Sequence, residues 1–165
     1  MGKQEKTISV DRAYEQMKRA CARKEYCAYD IRRKLERMNL PEGVAEGIIR
    51  GLKEERYIDE ERYIRSFISD KVRFNKWGRK KIEFALLQKQ LPRQAVEKAF
   101  SEYSDGELSR SLPALLERKW ASVTGSSLYE KESKLIRYAL GRGFTMDEIT
   151  RSLQEMKKNE NSDDG

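Results

Sequence analysis

The residues best suited to chemistry in this chain form a basic stretch near its middle. Six cations and no carboxylate occur there: Lys71, Arg73, Lys76, Arg79, Lys80 and Lys81. Phe74 and Trp77 are interleaved with them. Clustered cations attract phosphates, and aromatic rings between them can stack on bases. The stretch predicts contact with a nucleic acid or an acidic protein groove, although a solvated surface that only keeps a helical protein soluble would carry similar charge.

The same charge recurs earlier in the chain, around a break between two predicted helices. Four cations precede this break and four follow it: Lys18, Arg19, Arg23 and Lys24, then Arg32, Arg33, Lys34 and Arg37. Positive charge at equivalent corners of repeated units would lay a basic track along one side of the protein. We add Arg23, Lys24, Arg32 and Arg33 to the candidate binding residues.

The two aromatic residues of the basic stretch each have two interpretations. Phe74 could stack on a base or fill a seam between structural units. Trp77 could take part in binding, or it could simply cover the end of a local core.

Enzyme chemistry has little support in the sequence. The chain has no histidine, and it lacks the glycine-rich phosphate loop, the dinucleotide fingerprint and the nucleophile elbow. Cys21 and Cys27 are six residues apart and have no second pair, so we interpret them as small helix-face residues in a reducing compartment. We expect no catalytic residue, no cofactor and no metal.

The overall composition indicates a soluble protein with an acidic partner. Charged residues make up 38% of the 165 residues, and the net charge is +7. No apolar run approaches the ~20 residues of a membrane span, and no signal peptide precedes the first predicted helix. We expect a cytoplasmic monomer without a membrane partner.

The elements that must position these cations are predicted by an internal repeat. Ile31, Leu35, Asn39, Leu40 and Pro41 have the spacing of Ile82, Leu86, Gln90, Leu91 and Pro92, at an offset of 51 residues. Leu135, Ala139 and Gly143 repeat it 53 residues further on. Apolar residues at helical spacing and no sustained alternation predict an all-α fold. We expect nine helices in an elongated array of three tandem three-helix modules, a helical repeat protein. The predicted modules are 9–56, 57–103 and 104–157, with flexible tails at 1–8 and 158–165.

Local signals set the predicted helix ends. Ser9 and Asp59 suit N-caps, and capping boxes are predicted at Ser104, Ser127 and Thr145. Asn39, Gln90 and Gly143 share a repeat position that suits left-handed backbone after a helix. Pro41 is predicted to open a helix. Around Pro113, either a helix kinks or it begins at Ser111 with proline in its first turn.

Several of these segments resemble a known family. Residues 56–63, Arg-Tyr-Ile-Asp-Glu-Glu-Arg-Tyr, resemble the GYLDDERFA signature of RecX regulatory proteins. Residues 77–82, followed by Leu86 to Leu91, are similar to the KGPRRIxxELxxKGI pattern of that family. Residues 30–35 match the first-repeat motif, and residues 115–120 resemble the opening of the third repeat. The resemblance covers 11–156, with Arg56, Asn39 and Gln90 in place of family glycines.

The resemblance implies both a fold and a function. RecX proteins consist of three tandem three-helix modules in an elongated, curved array. They bind the RecA recombinase, especially its nucleoprotein filament, and they cap or dismantle it. They thereby inhibit ATPase, strand-exchange and co-protease activities without being enzymes, and they modulate recombination and the response to DNA damage. Several also bind DNA, in single- or double-stranded form.

The alternative from the residues alone is a DNA-binding protein of helix-turn-helix type without a recombinase partner. Short helix pairs joined by tight turns also occur in such proteins. A base-reading helix with dimer symmetry would favour this alternative, whereas three unequal modules favour the array.

Overall fold

The computed structural model describes residues 8–163, and every regular element in that range is helical. The α-helices are α1 Val10–Arg23, α2 Ala28–Glu36, α3 Val44–Glu54, α4 Glu60–Asp70, α5 Arg79–Gln88, α6 Arg93–Phe100, α7 Asp105–Leu108, α8 Leu112–Ser122, α9 Leu128–Gly141 and α10 Met146–Asp163. A π-helical turn, Lys71–Asn75, continues α4. Nine of these helices correspond to the nine predicted, and α7 is a single additional turn.

The buried apolar side chains form three separate clusters, one for each predicted module. Repeat-related residues occupy their centres: Ile31 and Leu35 in the first, Ile82 and Leu86 in the second, Leu135 and Ala139 in the third. All six are at most 2% exposed. The repeat period therefore reflects a repeated core, and the structure is a helical repeat array.

The clusters do not follow the predicted module limits at every residue. Ile58, predicted to begin the second module, packs in the first cluster, where its N–H donates to the Leu52 carbonyl at 3.2 Å. Leu108, predicted in the third module, is buried in the second cluster. Cys27, in the first module, also packs in the second. Residues near the module boundaries thus pack in the core cluster of a neighbouring module, and this packing joins the modules.

Most of the predicted helix ends are confirmed. The Asp59 carboxylate accepts a hydrogen bond from the Arg62 N–H at 3.0 Å, and the helix α8 takes Pro113 in its first turn. Positive φ angles occur at Asn39, Gln90 and Gly143 (49°, 62° and 100°). These values confirm the left-handed repeat position.

One predicted helix start is wrong. The helix α3 starts at Val44 instead of Pro41, because the backbone first passes through a turn with Gly43 at φ 82°. The tail predicted from residue 158 is helical to Asp163. Lys157 pairs with Glu132 on α9 at 2.7 Å, which holds the extended helix against its module. Most of the predicted N-terminal tail lies outside the described residues, but Ile8 packs on the first cluster.

Side chains join the first two modules. The Lys89 ammonium, at the end of α5, lies 3.1 Å from the Asp30 carboxylate in the first turn of α2. It also donates to the Tyr63 hydroxyl at 2.7 Å. Nearby, Arg62 Nε donates to Glu25 at 2.6 Å. The Lys89–Asp30 and Arg62–Glu25 pairs link the two modules. The hydrogen bond to Tyr63 lies within the second module and helps to hold Lys89 in place.

Backbone groups join the second and third modules at the equivalent place. The Gly78 N–H donates to the Arg142 carbonyl at 2.7 Å, and the Lys80 N–H donates to the Gly143 carbonyl at 3.2 Å. Gly78 is related by the repeat to Cys27, and Arg142 to Lys89. In both joints, the start of one module's second helix therefore meets the end of the next module's second helix.

The glycine contact predicts a large effect of one added methyl group. A Cβ on Gly78 would lie 2.5 Å from the Gly143 carbonyl group, so we expect Gly78→Ala to destabilise the protein by about 1–3 kcal/mol through overpacking. Gly47→Ala is the matched control, because open space surrounds that helical position and alanine there favours the helix. Urea unfolding measures both. Equal midpoints for Gly78→Ala and the wild-type chain would contradict the close contact.

Candidate nucleic-acid interface

The basic stretch forms the corner between α4 and α5. After the π-helical turn the backbone takes a left-handed conformation at Lys76, with φ 56°. The Trp77 N–H donates to the Lys71 carbonyl at 3.0 Å, and the Lys76 ammonium donates to the Arg73 carbonyl at 2.5 Å. π-helical turns are rare and frequently mark functional sites. Here the turn is part of a compact, hydrogen-bonded corner.

The structure separates the two aromatic residues of this corner. Phe74 is 72% exposed, so the interpretation that it fills a seam is wrong. Trp77 packs against the second core cluster. The ammonium groups of Lys71 and Lys81 lie 4.7 and 4.5 Å from its ring centroid. Trp77 is therefore partly buried against the core, whereas Phe74 is accessible to a partner.

A groove of about 620 Å³ opens between the first and second modules, with Phe74 at one edge. We call it the basic groove. Six cations line it: Lys24, Arg33, Lys34, Arg37, Lys71 and Lys89. Three carboxylates line it as well, those of Glu25, Asp30 and Asp70. Since Glu25 is paired with Arg62 and Asp30 with Lys89, most of the remaining charge in the groove is positive.

Aromatic rings hold several of these cations in place. Arg33 lies 5.3 Å from the Tyr29 ring centroid, and Lys34 lies 5.0 Å from that of Tyr26. Such contacts restrain long side chains without neutralising them. The cations of the basic groove are therefore partly ordered and still carry charge toward an anionic partner.

Three cations of the basic groove were not among the predicted candidates. Lys34 lies on α2 beside Arg33, and Arg37 is the C-cap of that helix. The i, i+4 spacing of Arg33 and Arg37 was a signal that both share a face. Lys89 comes from the far end of α5, and only the joint between modules brings it to the groove. No sequence pattern around Lys89 indicates this.

A second groove lies on the other side of Phe74. It has a volume of about 650 Å³, and Arg73, Lys76 and Arg110 contribute its positive charge. Tyr103 and Glu107 also line it. Phe74 thus stands between two grooves, each with cations from the predicted basic stretch.

The remaining candidates are not brought into either groove. Arg32 donates from Nε to Glu46 at 2.6 Å, and this hydrogen bond lowers the pKa of the Glu46 carboxyl. Arg79 lies 4.7 Å from the Phe100 ring centroid, and Lys81 is the cation beside Trp77. The exposed residues Arg23 and Lys80 line neither groove. The ten predicted cations therefore do not form one continuous site.

The cysteines and carboxylates form no chemical centre in the described part of the chain. Residues 8–163 contain no group of three potential metal-binding side chains. Both thiols are free, and burial raises the pKa of the Cys27 thiol to about 11. Across the same residues, no helix is both long and apolar enough to cross a membrane.

The fold and the grooves define an all-α helical repeat protein with a basic surface at its module joints. Family comparisons agree with this class. The profile for the second three-helix domain of RecX matches residues 59–99, and that for the third three-helix domain matches residues 113–153. A crystal structure of regulatory protein RecX covers 88% of the chain, and the chain covers 73% of it, with a TM-score of 0.80 and 19% identity. RecX from Lactobacillus salivarius covers 90%, and the chain covers 96% of it, with a TM-score of 0.75 and 21% identity.

Sequence similarity to curated relatives shows the family of this chain. Regulatory protein RecX of Pseudomonas fluorescens is 30% identical over 80% of this chain and 83% of its own length. The chain belongs to the RecX family of regulatory proteins. The RecX of Clostridium acetobutylicum is 28% identical over 77% of the chain, but only 60% of that relative is covered. For the Clostridium botulinum Eklund relative the covered share is 49%.

The different environments of Phe74 and Trp77 predict different stability effects. Trp77→Ala should lower the free energy of unfolding by about 2–3 kcal/mol, somewhat less than for a fully buried aromatic residue, because it removes packing on the second core cluster. Phe74→Ala should change it by less than about 0.5 kcal/mol, as for other exposed positions. Urea unfolding followed by circular dichroism measures both. A comparable loss of stability in the two variants would contradict the separation.

Proposed function

We propose that this protein is a non-enzymatic regulator that binds the RecA recombinase on its nucleoprotein filament. In this proposal it inhibits the ATPase, strand-exchange and co-protease activities of the recombinase. Membership of the RecX family supports a regulatory role, and the name of the family points to RecA as the partner. The observation that carries the proposal is the basic groove at the first module joint, since a nucleoprotein filament presents a long anionic track.

The chemistry of the basic groove supports binding to phosphates. Contacts to phosphates require cations and hydrogen-bond donors, and they do not require apolar anchors. Arg33, Lys71 and Lys24 supply cations from both modules across one opening. The exposed ring of Phe74 at its edge offers a stacking surface for an unpaired base. The groove therefore suits single-stranded DNA exposed in or beside a filament.

Regulation by binding alone agrees with the absence of a histidine from the chain. Without chemistry of its own, a protein changes a filament by preferring one of its states. Preference for a filament end caps growth, and preference for the groove along the filament blocks strand exchange or promotes disassembly. Both routes lower ATP hydrolysis, but they differ in the amount of protein required.

The first functional prediction concerns the basic groove. Arg33→Glu together with Lys71→Glu should weaken binding to single-stranded DNA and to RecA filaments about tenfold. The log–log salt slope for single-stranded DNA should flatten by roughly 0.7 for each phosphate group that the variant no longer binds. Fluorescence anisotropy with a labelled oligonucleotide, at several salt concentrations, measures the affinity and the slope.

A matched control removes the effect of net charge. Arg12→Glu together with Arg50→Glu makes the same charge change at exposed positions outside both grooves. This control should bind like the wild-type chain, with a small uniform reduction in affinity from long-range charge. If both double variants show the same reduction in affinity and slope, the basic groove is not the binding site.

The second functional prediction concerns the recombinase directly. The protein, added to RecA of its own organism on single-stranded DNA with ATP, should depress ATP hydrolysis. A capping mode gives inhibition at amounts well below one per recombinase subunit. A mode that lines the filament groove needs an amount that approaches the density of groove sites. A titration at constant RecA and DNA distinguishes them.

A protein that binds only DNA would also lower ATP hydrolysis by hiding the strand. The filament is therefore preassembled, free single-stranded DNA is added in excess, and binding to the recombinase is measured by sedimentation. Retained inhibition with a co-sedimenting complex supports the proposal. If the inhibition and the complex with the recombinase both disappear, the protein is better described as a DNA-binding protein of helix-turn-helix type.

A further inference from the structure

A separate basic pocket occurs in the third module, away from every predicted candidate residue. It lies between the end of α8 and the middle of α9, and its volume is about 470 Å³. Lys119, Lys134 and Arg137 line it together with the Thr124 and Tyr138 side chains. No carboxylate residue lines it within residues 8–163. We call it the third-module pocket.

The pocket repeats the wall of the basic groove. Lys134, Arg137 and Tyr138 on α9 are related by two repeats to Asp30, Arg33 and Lys34 on α2. All three α2 residues line the basic groove. The same helix face thus borders an open cavity in the first and the third module. The acidic position of the first module, Asp30, is occupied by a lysine in the third, which makes the third-module pocket more purely cationic.

Two of its cations are available to a ligand. Within residues 8–163, neither Lys119 nor Arg137 has a carboxylate within 4 Å. Lys119 lies 4.9 Å from the Tyr138 ring centroid, which restrains its chain without cancelling its charge. Lys134 has a different role, because it donates to the Thr124 carbonyl at 2.6 Å and pairs with Glu130 at 3.7 Å.

Lys134 therefore orders the loop that forms the pocket's rim. Ser127 caps α9 through the Glu130 N–H at 3.1 Å, and the Glu130 carboxylate accepts from both the N–H and the hydroxyl of Ser126. These hydrogen bonds lower the pKa of the Glu130 carboxyl. The loop between α8 and α9 is thus tied to α9, so the pocket has a defined wall.

We infer that the third-module pocket binds phosphates of a nucleic-acid backbone, as a second anion site distinct from the basic groove. Phosphodiester groups need cations and hydroxyl or amide donors, which this pocket supplies. The strongest contacts of protein–protein interfaces usually lie in well-packed pockets from which water is excluded. Val123 is the single aliphatic residue among those lining the pocket. The observations therefore favour a phosphate backbone over a protein segment.

A second anion site changes how the chain meets a nucleic acid. Binding at two sites on one folded chain makes the second binding event intramolecular, which strengthens overall binding without additional interactions. A single strand long enough to reach both sites would therefore bind more tightly than one that reaches only one. This consequence does not depend on a recombinase partner.

The test uses the full chain without recombinase. Lys119→Glu together with Arg137→Glu is titrated with a labelled single-stranded oligonucleotide at several salt concentrations. We expect about tenfold weaker binding and a log–log salt slope smaller by roughly 0.7 for each phosphate that the pocket no longer holds. Each double variant keeps one of the two sites. Combining Lys119→Glu/Arg137→Glu with Arg33→Glu/Lys71→Glu disrupts both sites, so the quadruple variant should lose most of the remaining affinity.

Arg118→Glu together with Arg151→Glu is the matched control. Both residues are exposed, lie in the same module and do not line the pocket, and the charge change is equal. Circular dichroism melts check that each variant folds. If the reversed pair is unfolded, Lys119→Gln together with Arg137→Gln answers the same question with a smaller electrostatic change.

The outcomes separate the inference from its competitors. Weaker DNA binding and a flatter slope for the pocket variant alone support it. Equal reductions in affinity for the pocket variant and its control overturn it, because net charge would then explain both. Unchanged DNA binding with abolished binding to a recombinase filament would also overturn it, and would assign the pocket to acidic groups of a protein. The DNA-binding measurement contains no recombinase. If the proposed regulation of RecA fails, the result for the third-module pocket therefore still stands.

Discussion

The close approach of Gly78 and Gly143 is the constraint on which the architecture of the second and third modules depends. Two backbone hydrogen bonds join the modules there, and a single Cβ on either glycine would lie about 2.5 Å from atoms of the other side. A module of about 50 residues is only marginally stable alone. Residues of its neighbours therefore help to complete its core, as Cys27 and Leu108 do in the second cluster.

The first joint uses side chains where the second uses backbone. Lys89 bridges Asp30 and Tyr63, and the burial of Tyr63 beside Asp30 raises the pKa of its hydroxyl. The phenol therefore stays protonated and neutral next to the ion pair. Because Lys89 belongs to the second module and Asp30 to the first, the same interaction that holds the modules together also shapes the wall of the basic groove. Lys89 therefore serves both the joint between the modules and the candidate binding groove.

The two cation-lined cavities differ in how many carboxylates accompany their cations. The basic groove mixes six cations with three carboxylates. No carboxylate lines the third-module pocket within residues 8–163, although Glu130 pairs with Lys134 from outside it. Lys81, by contrast, lies beside the Trp77 ring and lines neither groove. A high density of lysine and arginine therefore does not identify a binding surface by itself. The pairing of each cation distinguishes structural from available charge.

The sequence by itself determined the repeat, the helical class and most helix ends. These features depend on local chemistry: apolar spacing sets the buried face of each helix, and Ser9, Asp59 and Ser104 accept the first free N–H groups of theirs. Residues in the left-handed conformation, such as Asn39, stand where a helix must turn. Because the spacing repeats, the left-handed position could be predicted even where the residue type differs, as between Asn39 and Gly143.

Only the tertiary structure decided which cations lie together. Arg32 is bound by Glu46, fourteen positions along the chain, and Lys89 reaches the groove from another module. The extension of α10 likewise depends on Glu132 in a different helix, which Lys157 pairs with. Such pairings depend on how helices pack against one another, within a module or across a joint, and the local sequence does not specify that packing. Residue spacing specifies which side of a helix a cation occupies, and packing decides whether that side meets a carboxylate, an aromatic ring or solvent.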